Sequence, residues 1–159
     1  MLTKKSRRRI VREKVLQILY AYEMNKDSHQ SLSIEILSEI TDAADKNFAQ
    51  ELIRQVLANV EDLDKRISHR VDNWEMNRIA LIDKILLRIG ICEILHFPDI
   101  PPKVSINESI EIAKDFSTAG SAKFINGILD AVLADEKKEG RLNKTGRGLV
   151  EESILPTRQ

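Results

Sequence analysis

The residues best suited to chemistry in this chain are arginines. Arg7, Arg8 and Arg9 stand in a row, Arg12 follows one helical turn later, and Lys4, Lys5 and Lys14 flank them. Guanidinium groups at this density suit phosphate oxygens, which they bind through paired N–H donors. The cluster reads as a phosphate-binding patch for nucleic acid. A solubilising chain end is the other reading, and the run alone leaves both open. The other chemistry-bearing types do not converge. His29, His69 and His96 lie on three separate stretches without ligand spacing, so no zinc or catalytic-histidine site is expected. Cys92 sits in a dense apolar segment with nothing beside it to activate a thiol. No Gly-x-Ser-x-Gly, no Walker loop and no dinucleotide fingerprint occurs. Neither a cofactor, a metal nor an enzymatic activity is expected.

The arginine charge is balanced elsewhere in the chain. The 159 residues carry 25 Lys+Arg and 25 Asp+Glu, a formal net charge of zero. Residues 1–14 hold seven basic side chains against one acidic, residues 15–136 hold 12 against 21, and residues 137–159 hold six against three. A basic arm thus precedes an acidic body and a mildly basic tail. One cysteine excludes a disulfide framework and fits a reducing, cytoplasmic compartment. No apolar run approaches the ~18 residues of a membrane span. The charged start has no apolar stretch behind it to make a secretory signal. Aromatic residues make up only 4%, with six Gly and four Pro, too few turn-formers and ring residues for a β-sandwich or barrel. Apolar residues at 42% suffice for a packed core, so an all-α domain is expected.

Helices must therefore position the arginines. Val11, Val15, Ile18, Leu19 and Tyr22 form one helical stripe, and Ser6 is placed to cap it. Arg8, Arg9 and Arg12 fall within an arc of about 100° beside that stripe. Ordered donors lose less entropy on binding, which favours the phosphate reading. Residues 25–31 read as a polar loop, followed by a short helix with Ile34, Leu37 and Ile40 inward. Phe48, Leu52, Val56, Val60, Leu63 and Ile67 predict one helix of about 20 residues. Residues 71–74 read as a turn. The segment Ile79–Phe97 is apolar almost all round, which makes it the central helix. Three prolines between Pro98 and Pro102 end it. Ser105 and Glu108 have capping-box spacing, and Ser121 opens a last helix after a loop over 116–120. Residues 1–136 read as one domain, and 137–159 as a mostly disordered basic tail. Asp83, Arg88, Asn107, Glu108, Lys123 and Asn126 are polar residues on core-like helices, each with a local structural explanation available.

Several blocks resemble the NusB family of transcription antitermination factors. Arg7-Arg8-Arg9 before Val15-Leu16-Gln17-Ile18-Leu19-Tyr20 is similar to its arginine-rich opening. Asp83 to Ile89, with Glu93-Ile94-Leu95, is similar to its central helix. Asp99-Ile100-Pro101, Lys103 to Lys114 and Ser121 to Asp130 are similar to its most specific stretches, and Gly120 stands where the family pattern carries an acidic residue. The resemblance implies a compact bundle of about seven helices in two packed subdomains, and no enzymatic activity. It implies binding of boxA RNA from ribosomal RNA leader transcripts together with NusE, a small-subunit ribosomal protein. It further implies assembly with RNA polymerase and other Nus factors, and homodimers in some members. By residue, it implies RNA contact for Arg7, Arg8, Arg9, Arg12, Tyr20, Lys123 and Phe124. Asp83 and Arg88 match its NusE-binding positions. Two rival readings stand beside it: an accessory piece of an RNA methyltransferase system, and a protein-interaction bundle without an RNA role.

Overall fold

The structure is a computed structural model that describes residues 5–150. Its described residues form eight α-helices: α1 (Arg7–Met24), α2 (Gln30–Ser38), α3 (Ala43–Ala58), α4 (Val60–Ser68), α5 (Asn73–Arg78), α6 (Leu81–His96), α7 (Pro102–Phe116) and α8 (Ala119–Lys138). A single 3-10 turn, Gly146–Leu149, follows. No strand occurs among them, in line with the all-α expectation.

α6 is the hub. It packs against α1, α3, α4, α7 and α8. Ile85, Leu86, Leu87, Ile89, Ile91 and Ile94 all lose their solvent contact, as a helix apolar on every side must. One continuous core runs through these helices. Gly90 permits the close approach. A Cβ there would lie 2.9 Å from Leu129 on α8 and 3.0 Å from the Ser109 hydroxyl on α7.

Several boundaries differ from the sequence reading, each for a local reason. The long helix over 48–67 is broken at Asn59, which leaves helical geometry at φ −119°. Its side-chain amide donates to the Gln55 carbonyl at 2.7 Å, competing with the helical ladder. In α2 the buried residue is Ile36, while Ile34 is 68% exposed. The turn read at 71–74 starts the short helix α5, because Asp72 and Glu75 form the reciprocal capping box. Ser105 and Glu108 do not form one. α7 already starts at Pro102, where a proline loses no helical hydrogen bond, so Ser105 lies inside the helix. Thr118, rather than Ser121, caps α8, accepting from the Ser121 backbone N–H at 2.9 Å.

The stretch expected as a tail differs most. Residues 139–150 turn back along the body. The Thr145 backbone N–H donates to the Pro98 carbonyl at 2.9 Å. Lys144 Nζ donates to the Phe97 and Glu93 carbonyls at 2.8 and 3.1 Å, satisfying the C-terminus of α6. Leu142 packs on the core. Gly148 passes so close to Pro98 that a Cβ would sit 1.9 Å from its carbonyl oxygen. Residues 151–159 lie outside the described residues.

Candidate nucleic-acid interface

α1 begins where Ser6 caps it, accepting from the Arg9 backbone N–H at 3.1 Å. The arginine row is therefore helical from its first residue. What the sequence could not reveal is that this row meets carboxylates of the same chain. Lys5 bonds Glu13 at 2.7 Å, and Lys14 bonds Glu39 at 2.6 Å. Arg9 donates through Nε and Nη2 to both oxygens of Glu108, each at 2.9 Å. That pairing holds the Arg9 guanidinium above its ordinary range.

Arg12 goes further inward. Its Nε and Nη2 donate to Glu93 on α6 at 2.7 and 2.8 Å. The two side chains are only 5% and 1% exposed. Ser105 adds a hydroxyl donor to Glu93 at 2.8 Å. Burial opposes the Arg12 charge, yet the charge and hydrogen bonds of Glu93 outweigh it and hold Arg12 above its usual range. Arg12 was expected to touch RNA. In this fold it is a framework residue, because the turn that separates it from Arg9 rotates it toward α6.

Arg7 and Arg8 are arranged differently. Both donate through Nε to one carboxylate, Asp45 on α3: Arg7 to Oδ2 at 2.7 Å and Arg8 to Oδ1 at 2.8 Å. Their side chains remain 74% and 42% exposed, while that of Asp45 is buried. Arg8 also stacks over the Phe48 ring, 4.4 Å from its centroid. The hydrogen bond from Arg8, joined by that from Arg7, holds the Asp45 carboxyl below the usual range against the opposing effect of burial. Asp42 caps α3 and fixes the Asp45 backbone, whose N–H it accepts at 2.9 Å. Arg7 and Arg8 thus hydrogen-bond through Nε alone and stay exposed, with Arg7 Nη2 3.6 Å from Asp42, whereas Arg9 and Arg12 each close an Nε–Nη2 edge on a carboxylate and are only 21% and 5% exposed.

The other expected contact residues lie apart from this end. Tyr20 sits three turns along α1, about 18 Å from Arg8 by helical rise. It is part of an apolar hollow of about 470 Å³ with Leu16, Met24, Leu32, Ile82 and Phe116. Lys123 is exposed on α8. Phe124, expected inward, is half-buried and shares a groove with Trp74, Ile79 and Asp83. Trp74 is largely exposed, and the Arg78 guanidinium lies 4.3 Å from its ring centroid. Asp83 accepts from the Ser121 hydroxyl at 2.6 Å through Oδ2, while its buried Oδ1 has no hydrogen-bond partner. Arg88, expected on a partner face, is buried; its fork holds Asp64 at 2.8 and 2.9 Å, and Glu23 lies at 3.5 Å. A residue so engaged ties α6 to α4 and α1.

Sequence reasoning missed Asp45 and Glu93 as residues of this site. Their partners are 37, 38 and 81 positions away, beyond any local spacing rule. Charge arithmetic held the only hint, since an acidic body must put its carboxylates somewhere. Among the described residues, no group of three or more His, Cys, Asp and Glu is arranged to hold a metal ion. No helix among them is long and apolar enough to cross a membrane. Burial pushes the Cys92 thiol up and keeps it inert.

Fold and site together define an all-helical binding domain whose first helix presents ordered guanidinium groups. The profile of the NusB family matches residues 9–134. The transcription antitermination protein NusB of Chloroherpeton thalassium is 49% identical over 146 residues, covering 91% of this chain and 69% of that one. That of Salinibacter ruber is 46% identical over 147 residues, covering 91% and 92%. A solved structure of T. maritima NusB superposes with a TM-score of 0.74 at 37% identity, covering 86% of this chain and 99% of that one. A chain from a crystal structure of antitermination factors NusB and NusE with dsRNA shares the fold at 20% identity, with a TM-score of 0.72 over 80% of this chain and 96% of that one. This chain belongs to the NusB family, whose members are transcription antitermination factors and not enzymes.

Proposed function

We propose that this protein binds the boxA RNA of ribosomal RNA leader transcripts together with NusE, and that this complex helps assemble antitermination factors on RNA polymerase. The observation that carries the RNA reading is the pair of exposed guanidinium groups of Arg7 and Arg8, hydrogen-bonded through Nε alone, on a capped helix start. Guanidinium edges of this kind donate in parallel to phosphate oxygens. Lys123 and the half-buried Phe124 on α8 supply a second cation and an aromatic ring for a splayed base, and Tyr20 supplies another ring. The unpartnered Oδ1 of Asp83 beside Phe124 and Trp74 favours a hydrogen-bond donor arriving at that groove, from RNA or from NusE. The acidic balance of residues 15–136 suits a basic ribosomal protein.

The test is a titration of boxA and scrambled RNA, with and without NusE, at two salt concentrations. The reading expects boxA preference and tighter binding with NusE. It expects a log–log salt slope to which Arg7 and Arg8 contribute about −0.7 each on single strands. Equal binding of both RNAs with and without NusE would sink it.

A further inference from the structure

We propose that Asp45 is the positioning residue of the RNA-facing arginines, holding Arg7 and Arg8 by Nε so that their Nη edges face adjacent phosphates. This rests on the RNA reading above and deepens it by naming what orders the arm. The geometry separates the four arginines into two kinds. Arg9 and Arg12 close their Nε–Nη2 edge on a carboxylate of their own and have that edge filled. Arg7 and Arg8 share a single carboxylate, one oxygen each, and each commits only Nε. Arg7 Nη2 reaches Asp42 only at 3.6 Å, beyond a hydrogen bond. Arg8 is further fixed in plane by the Phe48 ring.

Asp45 can serve as an anchor because it cannot move. It is buried in the first turn of α3, its N–H is capped by Asp42, and Phe48 and Leu52 on the same helix are set in the core. A carboxylate beside two arginines has two opposing consequences for an incoming phosphate. It weakens the local positive field, and it removes the entropy that two long side chains would otherwise lose on binding. Asp42 lies 3.6 Å from Arg7 Nη2, so the two arginines and the two carboxylates are together formally neutral. Arg7 is mostly exposed, so anchoring its Nε removes the rotamer freedom of a long side chain, and ordering is taken as the larger effect.

The sign of one substitution distinguishes the two. Asp45→Asn keeps the shape and removes a negative charge next to the arm. If Asp45 merely competes with RNA, the variant binds boxA RNA more tightly. Positioning expects the opposite: binding about tenfold weaker at 100 mM salt, from rotamer freedom returned to two arginines. Fluorescence anisotropy with labelled boxA RNA reads this, alongside a thermal melt of the same sample. Arg7→Lys with Arg8→Lys is a second variant that leaves the buried residues untouched. It preserves both charges but has no Nη edge, so positioning expects weakened binding and pure charge attraction expects none. In a cycle with Arg7→Ala/Arg8→Ala, Asp45→Asn should have no further effect on binding, since nothing remains to position. Tighter or unchanged binding by Asp45→Asn, or lysine variants equal to wild type, overturns the proposal. Should Arg7→Ala/Arg8→Ala itself bind as wild type does, the RNA assignment of the arm fails, and the proposal with it.

Discussion

Replacing Arg12 with alanine separates an arginine that holds the fold from one proposed to face RNA. The pair it forms with Glu93 is closed by two hydrogen bonds at 2.7 and 2.8 Å, with both side chains almost wholly out of solvent. Removing one partner strands the other charge in the interior. Breaking such a pair typically costs about 3–5 kcal/mol, far more than the pair's net worth, because the surviving ion is desolvated without compensation. Ser105 remains as one donor to Glu93, and Glu108 lies 3.9 Å from Arg12 without offering one. For a domain of this size each kcal/mol moves the melting temperature by about 2–4 °C, so Arg12→Ala should melt roughly 6–20 °C below wild type. Arg7→Ala makes the contrast. Its side chain is 74% exposed and the buried Asp45 keeps Arg8 as a partner, so the loss should stay near the ~1 kcal/mol of an exposed pair, a shift of a few degrees. RNA binding should rank the two in reverse. At a temperature where both variants are folded, Arg7→Ala should reduce the salt slope by about 0.7, and Arg12→Ala should leave it unchanged. Circular-dichroism melts and anisotropy titrations at three salt concentrations provide both readings. An Arg12→Ala protein that melts with wild type and loses the same slope as Arg7→Ala would refute the division of the arm into framework and contact residues.

Two further outcomes concern the strap formed by residues 139–150. Burial pulls the Lys144 amine down from about 10.5 to about 8, so between those values the unfolded chain holds the proton and the folded one does not. Stability should therefore rise as pH climbs from about 8 toward 10.5, and the difference between wild type and Lys144→Met in urea titrations should carry that slope; parallel curves would contradict the burial of Lys144 against α6. Gly148→Ala places a Cβ 1.9 Å from the Pro98 carbonyl oxygen, which must push the strap away. Hydrogen exchange at the Thr145 amide should accelerate while amides in the middle of α6 stay protected, and an unchanged Thr145 amide would show that the strap is not seated on Pro98.

Much of the fold was legible before any coordinates. The stripes of α1 and α8 are periodic and α6 is apolar almost all round, and burial largely follows both patterns. Where the reading slipped, local chemistry outranked periodicity. Asn59 bonds its own helix backbone and divides a stripe that runs unbroken from Phe48 to Ile67. Pro102 starts α7 early enough to carry Ser105 into the core. The strap was illegible because its glycines and charges have no period, and its partner carbonyls at Phe97 and Pro98 lie some 47 positions earlier.

For the candidate site, sequence alone determined that a row of guanidinium groups lies at a helix start and that an acidic body balances it. Both follow from residue type and from short-range geometry. Only the tertiary structure decided which arginines are available. Asp45, Glu93 and Glu108 arrive from α3, α6 and α7, and where each carboxylate falls around α1 depends on how those helices pack. Adjacent residues on a helix point about 100° apart, so four arginines identical in type divide into two that are paired off against Glu108 and Glu93 and two that reach solvent.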